Sequence, residues 1–508
     1  MSAPESQKMQ RASDSALEGT TNLRGTRWCL CGGGGRYAVV GSCAPGYEPV
    51  RAQFERHFAD ELEDEAQCTV FVDGVRVVDL VGRRADDPDP LEIGLVQYNG
   101  GSIQNVFSTG KVLTSVVVAM LVDRGLLRYD MKIAELWPEY AAQGKGDTTL
   151  AMLMRHEAGL HELDTPVKLD DLRAEALKGG DGFISGAGAV ATQIAAQKPA
   201  YVPGAKRTYH AVTRGWIVNE VVRRATVTEA SPAGTTIGEF LAAEIAAPLG
   251  LGEELFCGVP AERHAALAAP LKVTPAWWMC KHLLTPECCG GKIEVPGNCL
   301  RAILLCAVGC CKPMEACRCS RFPCVRRAVH GKEFTLPPDV TMPVGYDIYN
   351  HADVSAAEMP SVNMHASARA LAAVASAMAC GGAHKGARLL SAAGVDAAHG
   401  DPDCKPTFFT TKTVFTDAGV AIFAEPGDLL RGGFVGWMGH GGSAMQWHRG
   451  EKIGFGYTCT KMSLSIRNPR ARRLQLKALE CARAVKARAE TAARWKAKSE
   501  EGAAAAQI

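Results

Sequence analysis

Val106-Phe107-Ser108-Thr109-Gly110-Lys111-Val112-Leu113-Thr114-Ser115 runs without a break into an apolar helical pattern, Val116 to Leu127. A serine and a lysine three positions apart at the start of a helix lie on one face, one turn from each other. A serine hydroxyl is a poor nucleophile until a base takes its proton. A lysine beside it can do this as the free amine, or as the ammonium it can lower the hydroxyl's pKa. The helix N-terminus adds partial positive charge and backbone N–H groups without intrahelical partners, where an oxyanion would form. Such a site transfers an acyl group without metal or cofactor, and none is expected. The same four residues also fit an N-capping serine followed by an exposed lysine, so the rest of the chain decides.

The 508 residues leave room for one large domain or two to three ordinary ones. A hydrophobic share of 47% and a charged share of 22% are those of a soluble globular protein. The formal net charge of +2 gives no reason to expect nucleic acid or a membrane surface as partner. No apolar run reaches spanning length; the longest, Ala302 to Cys311, is too short and ends in cysteines. Met1 to Arg27 carries Glu5, Asp14 and Glu18 and no apolar core, unlike a secretory signal. A cytoplasmic location is the expectation. Ten of the nineteen cysteines fall between Cys280 and Cys324, and in that setting they are read as thiols rather than a disulfide framework.

Residues 1–45 are polar and glycine-rich, a flexible leader. Helical periodicity follows from Pro49 to Ala66, then two β-branched runs between Cys68 and Gly82 joined by Asp73-Gly74, a hairpin signal. Helices are expected at Gly215–Arg224, Ile237–Leu249 and Pro360–Ala379, and strands at Val414–Phe423, Met445–His448 and Ile453–Thr460. Residues 275–340 break the pattern as a cysteine-rich insertion. Residues 468–498 read as a long basic helix, whose part beyond 475 is taken as a helical tail, 476–508. Strands at both ends with helices between give an α+β fold: an antiparallel sheet from N- and C-terminal strands with a large helical region inserted, in one domain over 46–475.

Two further segments carry chemistry. In Pro203-Gly204-Ala205-Lys206-Arg207-Thr208-Tyr209-His210, the tyrosine precedes a helix and can project into a cleft. Lys111 nearby would favour its phenolate and make it useful as a base; a tyrosine packed at a helix start is the alternative. In Phe434-Val435-Gly436-Trp437-Met438-Gly439-His440-Gly441-Gly442-Ser443, glycines flank a histidine ahead of a strand, which suits close approach of backbone to ligand. A tight turn between strands reads the same way.

Taken in order, these three segments resemble the serine β-lactamase and penicillin-binding superfamily, and within it the class C β-lactamase-like esterases. That family carries Ser-x-x-Lys, a Tyr-x-Asn-type motif and a Lys-Thr-Gly or His-Gly-Gly-type motif. The matches are Ser108/Lys111, Tyr209 with His210 and Ala211, and His440-Gly441-Gly442. The flanks resemble it as well: Gly46-Tyr47-Glu48-Pro49-Val50-Arg51, Leu136-Trp137-Pro138-Glu139-Tyr140, Arg155-His156-Glu157-Ala158-Gly159-Leu160 and Glu358-Met359-Pro360-Ser361-Val362-Asn363. The resemblance implies a β-lactamase/transpeptidase-like fold. It implies Ser108 as acylated nucleophile, with Lys111 and Tyr209 sharing its proton. The N–H groups of Ser108 and Ser443 would hold the oxyanion, and His440 would line the pocket. The substrate implied is a small-molecule ester or amide.

The departures matter too. Ala211 stands for the asparagine and His440 for the lysine, which points away from β-lactams and toward other acyl substrates. Gly110 is expected to loosen the helix start. Cys306, Cys310, Cys311, Cys317, Cys319 and Cys324 contain no Cys-x-x-Cys pair, so surface thiols are favoured over a zinc site and no metal is assigned. Other readings are an acyltransferase or peptidase of the same fold, and a catalytically silent, self-associating scaffold; a homo-oligomer stays among the expectations.

Overall fold

The computed structural model describes residues 37–84, 98–179, 188–273, 334–335, 346–408, 411–423, 433–462 and 469–505. Strands β1 (Tyr37–Cys43), β2 (Glu65–Val72) and β3 (Val75–Arg84) open a sheet. Asp73 and Gly74 take φ of +51° and +78°, the left-handed pair a tight two-residue hairpin needs, so that Val72 faces Val75. Six strands follow late in the chain: β4 (Asp403–Phe408), β5 (Thr411–Phe415), β6 (Ala421–Phe423), β7 (Phe434–Met438), β8 (Ala444–His448) and β9 (Ile453–Cys459). The order across the sheet is β1-β3-β2-β9-β8-β7-β6-β5-β4, every neighbour antiparallel. This is the expected sheet of N- and C-terminal strands.

Both faces are covered. On one lies α1 (Glu48–Ala59), whose Val50, Phe54 and Phe58 recur every four residues and are buried. Beside it lies α5 (Pro469–Ala505), burying Leu474, Ala478, Leu479 and Ala482 in the same cluster. The other face takes α4 (Ala368–Ala379), an alanine-rich helix capped by the Ser367 hydroxyl. Its backbone presses on Gly454 and Gly456 of β9, where a Cβ would come within 2.7 Å of main-chain atoms of the helix. The inserted region is built around α2 (Gly110–Asp123), buried from Gly110 to Leu121, and α3 (Thr213–Ala225). No helix among the described residues is long and apolar enough to cross a membrane.

Several boundaries differ from expectation. Residues 37–43 are the edge strand β1 rather than leader: Val39 and Val40 pair with Gly82 and Val81, and Arg51 donates to Gly41 O at 2.6 Å. The α1 helix stops at Ala59, because β2 already begins at Glu65. The helix expected from Pro360 starts only at Ala368. Before it, Met364–Ala366 pairs with Gln104–Asn105 and with Leu255–Cys257, and the Asn363 side chain bonds Val354 O and Ala357 O. The α5 helix passes through position 476 unbroken and keeps packing to Ala482. Residues 1–36, Trp277-Trp278 and the cysteines of 280–324 lie outside the described residues, and of the 275–340 stretch only Phe334–Thr335 is described.

Candidate active site

Ser108 is presented by a strained turn. Phe107 has φ +44°, costly for a bulky side chain by about 1–3 kcal/mol. Asn105 holds it there: its Oδ1 accepts from Phe107 N at 2.7 Å while its Nδ2 donates to Asn363 Oδ1 at 3.0 Å. Phe107–Thr109 form one 3-10 turn that continues directly into α2, leaving Ser108 half-buried at the head of the helix.

One turn on, Lys111 is 2% exposed. Its Nζ donates to Ala211 O at 2.6 Å and to Ser361 O at 3.0 Å, and lies 3.2 Å from Ser108 Oγ. Two glycines make room for the strand of chain carrying Ser361. A Cβ on Gly110 would meet Pro360 O at 2.7 Å, and one on Gly215 would meet Ser361 N at 2.6 Å. Gly110 has ordinary helical φ and ψ of −56° and −26°. Its role is therefore space, not the flexibility expected from sequence.

Tyr209 is placed by a loop laced to residues 156–160. Thr208 N donates to His156 O, His210 N to His156 Nδ1, and Leu160 N to His210 Nε2. Arg207, buried, grips Glu157 Oε1 at 2.8 Å and the Thr413 carbonyl of β5 at 2.9 Å. The Tyr209 hydroxyl bonds Ser108 and accepts from Trp437 Nε1 at 3.3 Å, while Lys111 Nζ sits 4.8 Å from its ring centroid. Burial raises the phenol above its usual value, against the Ser108 and Trp437 hydrogen bonds and the nearby Arg214 charge. Tyr209 is thus held as the neutral phenol, which corrects the expectation of a phenolate favoured by Lys111.

The glycine-rich segment is the turn between β7 and β8. Gly439 N donates to Ser443 O at 2.8 Å and Gly442 N to Gly439 O at 3.2 Å, so both amides serve the turn itself. Ser443 Oγ donates to Val106 O at 2.7 Å and lies 3.0 Å from Thr109 Oγ1, tying the turn to the segment that bears Ser108. That approach needs glycine at 439, where a Cβ would stand 2.1 Å from Val106 O. The His440 ring meets Phe107 edge-on with centroids 6.0 Å apart, and burial lowers it to about 4, so it is neutral at pH 7. The Gly441 carbonyl is turned onto Arg470 at 2.5 Å.

Ser108, Lys111 and Tyr209 therefore converge, and the turn containing His440, Gly441, Gly442 and Ser443 lies against them. Sequence reasoning missed Trp437, whose run Phe434-Val435-Gly436-Trp437-Met438 has the β-propensity of a strand, and the carbonyls of Ala211 and Ser361. Trp437 also stacks near Phe415 and Phe423, with centroids 5.3 and 6.2 Å away. Among the described residues no cluster of three or more His, Cys, Asp or Glu could hold a metal ion.

A helix-headed Ser-x-x-Lys set beside an antiparallel sheet strand, with a tyrosine between, defines the β-lactamase/transpeptidase class of fold. The chain belongs to the beta-lactamase family of hydrolases, whose family model matches residues 54–480. It is 28% identical over 355 residues to Esterase/beta-lactamase LipL of Mycobacterium tuberculosis, covering 70% of this chain and 67% of that one. Among solved structures it is similar to a family VIII carboxylesterase (25% identity, TM-score 0.63, 87% of this chain and 99% of the other). It is also similar to a penicillin-binding protein homologue from Caulobacter crescentus (26%, TM-score 0.63, 87% and 99%).

Proposed function

We propose that this protein is a serine hydrolase of carboxylesterase type, forming an acyl-enzyme on Ser108 from a small-molecule ester or amide. The observation that carries the reading is the hydrogen-bond valence of Lys111. Ala211 O and Ser361 O can only accept, so they take two N–H groups of the amine. The remaining position points at Ser108 Oγ. As the free amine, Lys111 offers its lone pair there and takes the serine proton; as the ammonium, it offers that proton back.

The steps balance as follows. Ser108 Oγ bonds the acyl carbon while its proton passes to Lys111, and the carbonyl oxygen becomes an anion. The Ser108 N–H at the helix head and an N–H of the Gly439–Ser443 turn hold that anion. The C–O or C–N bond then breaks as the neutral Tyr209 phenol donates a proton to the leaving group, and the proton that Lys111 took from Ser108 passes to the Tyr209 oxygen in its place. Water repeats the sequence in reverse, giving the acid and free Ser108. His440, neutral, offers no fixed cation to a substrate carboxylate, and Ala211 brings no side-chain amide. Both support uncharged esters or amides over β-lactams. Labelling by a fluorophosphonate probe tests the reading: the wild type should label and Ser108→Ala should not. Equal labelling of the two refutes it, and acyl transfer to an added alcohol in preference to water would make the protein a transferase.

A further inference from the structure

The Gly439–Ser443 turn is held by more than its two internal hydrogen bonds. Gly441 and Gly442 have φ of +85° and +139°, conformations with little intrinsic preference to keep them. On the nucleophile side the turn is fastened by Ser443 Oγ. On the opposite side two groups donate to Gly441 O, the Cys459 thiol of β9 at 3.7 Å and Arg470 from the first turn of α5. Arg470, 3% exposed, donates from Nη2 to Gly441 O at 2.5 Å and to Lys461 O at 3.1 Å. From Nη1 it donates to Glu63 Oε2 at 2.8 Å and Leu62 O at 2.9 Å. Glu63 is in turn bonded by the Tyr457 hydroxyl of β9. The planar fork thus joins the approach to β2, the end of β9, the C-terminal helix and the turn.

We propose that Arg470 is a positioning residue for acyl transfer, fixing the amides of the β7–β8 turn against Ser108 from a distance; this rests on the Ser108 acyl-enzyme reading. In a trans peptide the C=O and N–H point opposite ways. Holding Gly441 O therefore sets the direction of Gly442 N–H, which bonds Gly439 O. Gly439 O in turn sets the direction of His440 N–H, on the other side of the same peptide. One guanidinium so sets the His440 and Gly442 peptides of the turn, which lead into the Ser443 N–H assigned to the oxyanion. Arg470 touches no reacting atom. Its effect is on how well the hole is formed, and a misplacement of about 1 Å there costs on the order of 100-fold in rate.

The test is the burst of p-nitrophenyl acetate acylation per folded molecule, with thermal unfolding measured alongside. Arg470→Met should acylate on the order of 10- to 100-fold more slowly with KM nearly unchanged. Arg470→Lys, which keeps the charge but not the fork, should fall between it and the wild type. Leu474→Ala, buried one turn along α5 without a hydrogen-bonding group to hold the Gly441 carbonyl, should lose stability yet acylate at the wild-type rate. Wild-type acylation by Arg470→Met overturns the proposal, as does an equal loss in Leu474→Ala. Should Arg470→Met fail to fold, wild-type acylation by Arg470→Lys overturns it. Ser108→Ala run in parallel separates the two claims. If that variant still gives a burst, the site reading falls and takes this one with it; if it is silent, a normal Arg470→Met sinks only the positioning role.

Discussion

At Gly110 the space for a methyl group is already taken by Pro360 O and by Met364 Cγ at 3.0 Å. The carbonyl one residue on, Ser361 O, accepts from Lys111. Gly110→Ala should therefore push the 360–361 chain outward and loosen the amine that faces Ser108. We expect kcat to fall on the order of 10-fold or more with KM little changed, because substrate contacts are untouched. A variant with wild-type kcat would show that the Ser361 carbonyl is dispensable. This coupling was not legible in the sequence. Ser108, Lys111 and Tyr209 could be read because their chemistry is in their side chains. Ala211 and Ser361 act through carbonyls, which every residue has, so nothing in their identity marks them. Trp437 was passed over for a related reason: a tryptophan in a β-branched run reads as core, and only the fold shows its indole meeting the Tyr209 hydroxyl.

The seam between α4 and β9 is set by alternate glycines. Gly454 and Gly456 point to the same face, and a Cβ on Gly456 would stand 2.1 Å from Ala368 O and 2.6 Å from Ala372 N. Those are backbone atoms of a buried helix and cannot swing aside. Gly456→Ala should cost about 1–3 kcal/mol through overpacking. Gly252→Ala, with nothing within 4 Å of its Cβ position, should change stability by less than about 0.5 kcal/mol. Urea unfolding of the two variants checks this, and equal midpoints would contradict the seam. Local signals served well here: Asp73-Gly74 marked its hairpin, and the period-four apolar residues marked α1. What failed was anything decided by pairing. Val39 and Val40 looked like leader because their partners, Gly82 and Val81, lie forty residues away. The run from Pro360 looked helical because its apolar residues serve a three-stranded patch and a strap over Lys111 instead.

Acid should undo this fold sooner than its near-neutral net charge suggests. Burial lowers His57, His210 and His365 to about 3, His384 and His440 to about 4, and His156 well below its usual value. In the unfolded chain such rings titrate near 6.5. From pH 6.5 down to about 4.5 the unfolded state therefore binds protons at six rings that the folded state leaves bare. Three carboxyls act the other way: burial raises Glu358 to about 7, Glu63, beside Arg470, to about 8, and Asp417 above its usual value, so the folded state binds protons there first. The six rings outweigh the three carboxyls, the unfolded state binds more protons, and stability falls as pH falls through that window, by about 1.4 kcal/mol per pH unit for each net proton. The rings also work for the site. His210 takes an N–H at Nε2 and meets Thr208 O through Nδ1, and His156 accepts from His210 N. Protonating either puts N–H against N–H in the loop that carries Tyr209, so activity and fold should fail together. The urea midpoint should drop steadily below pH 6.5. His57→Gln, in α1, should make that slope shallower by one proton. A midpoint flat between pH 6.5 and 4.5, or an unchanged slope in His57→Gln, would show that burial does not hold these rings neutral.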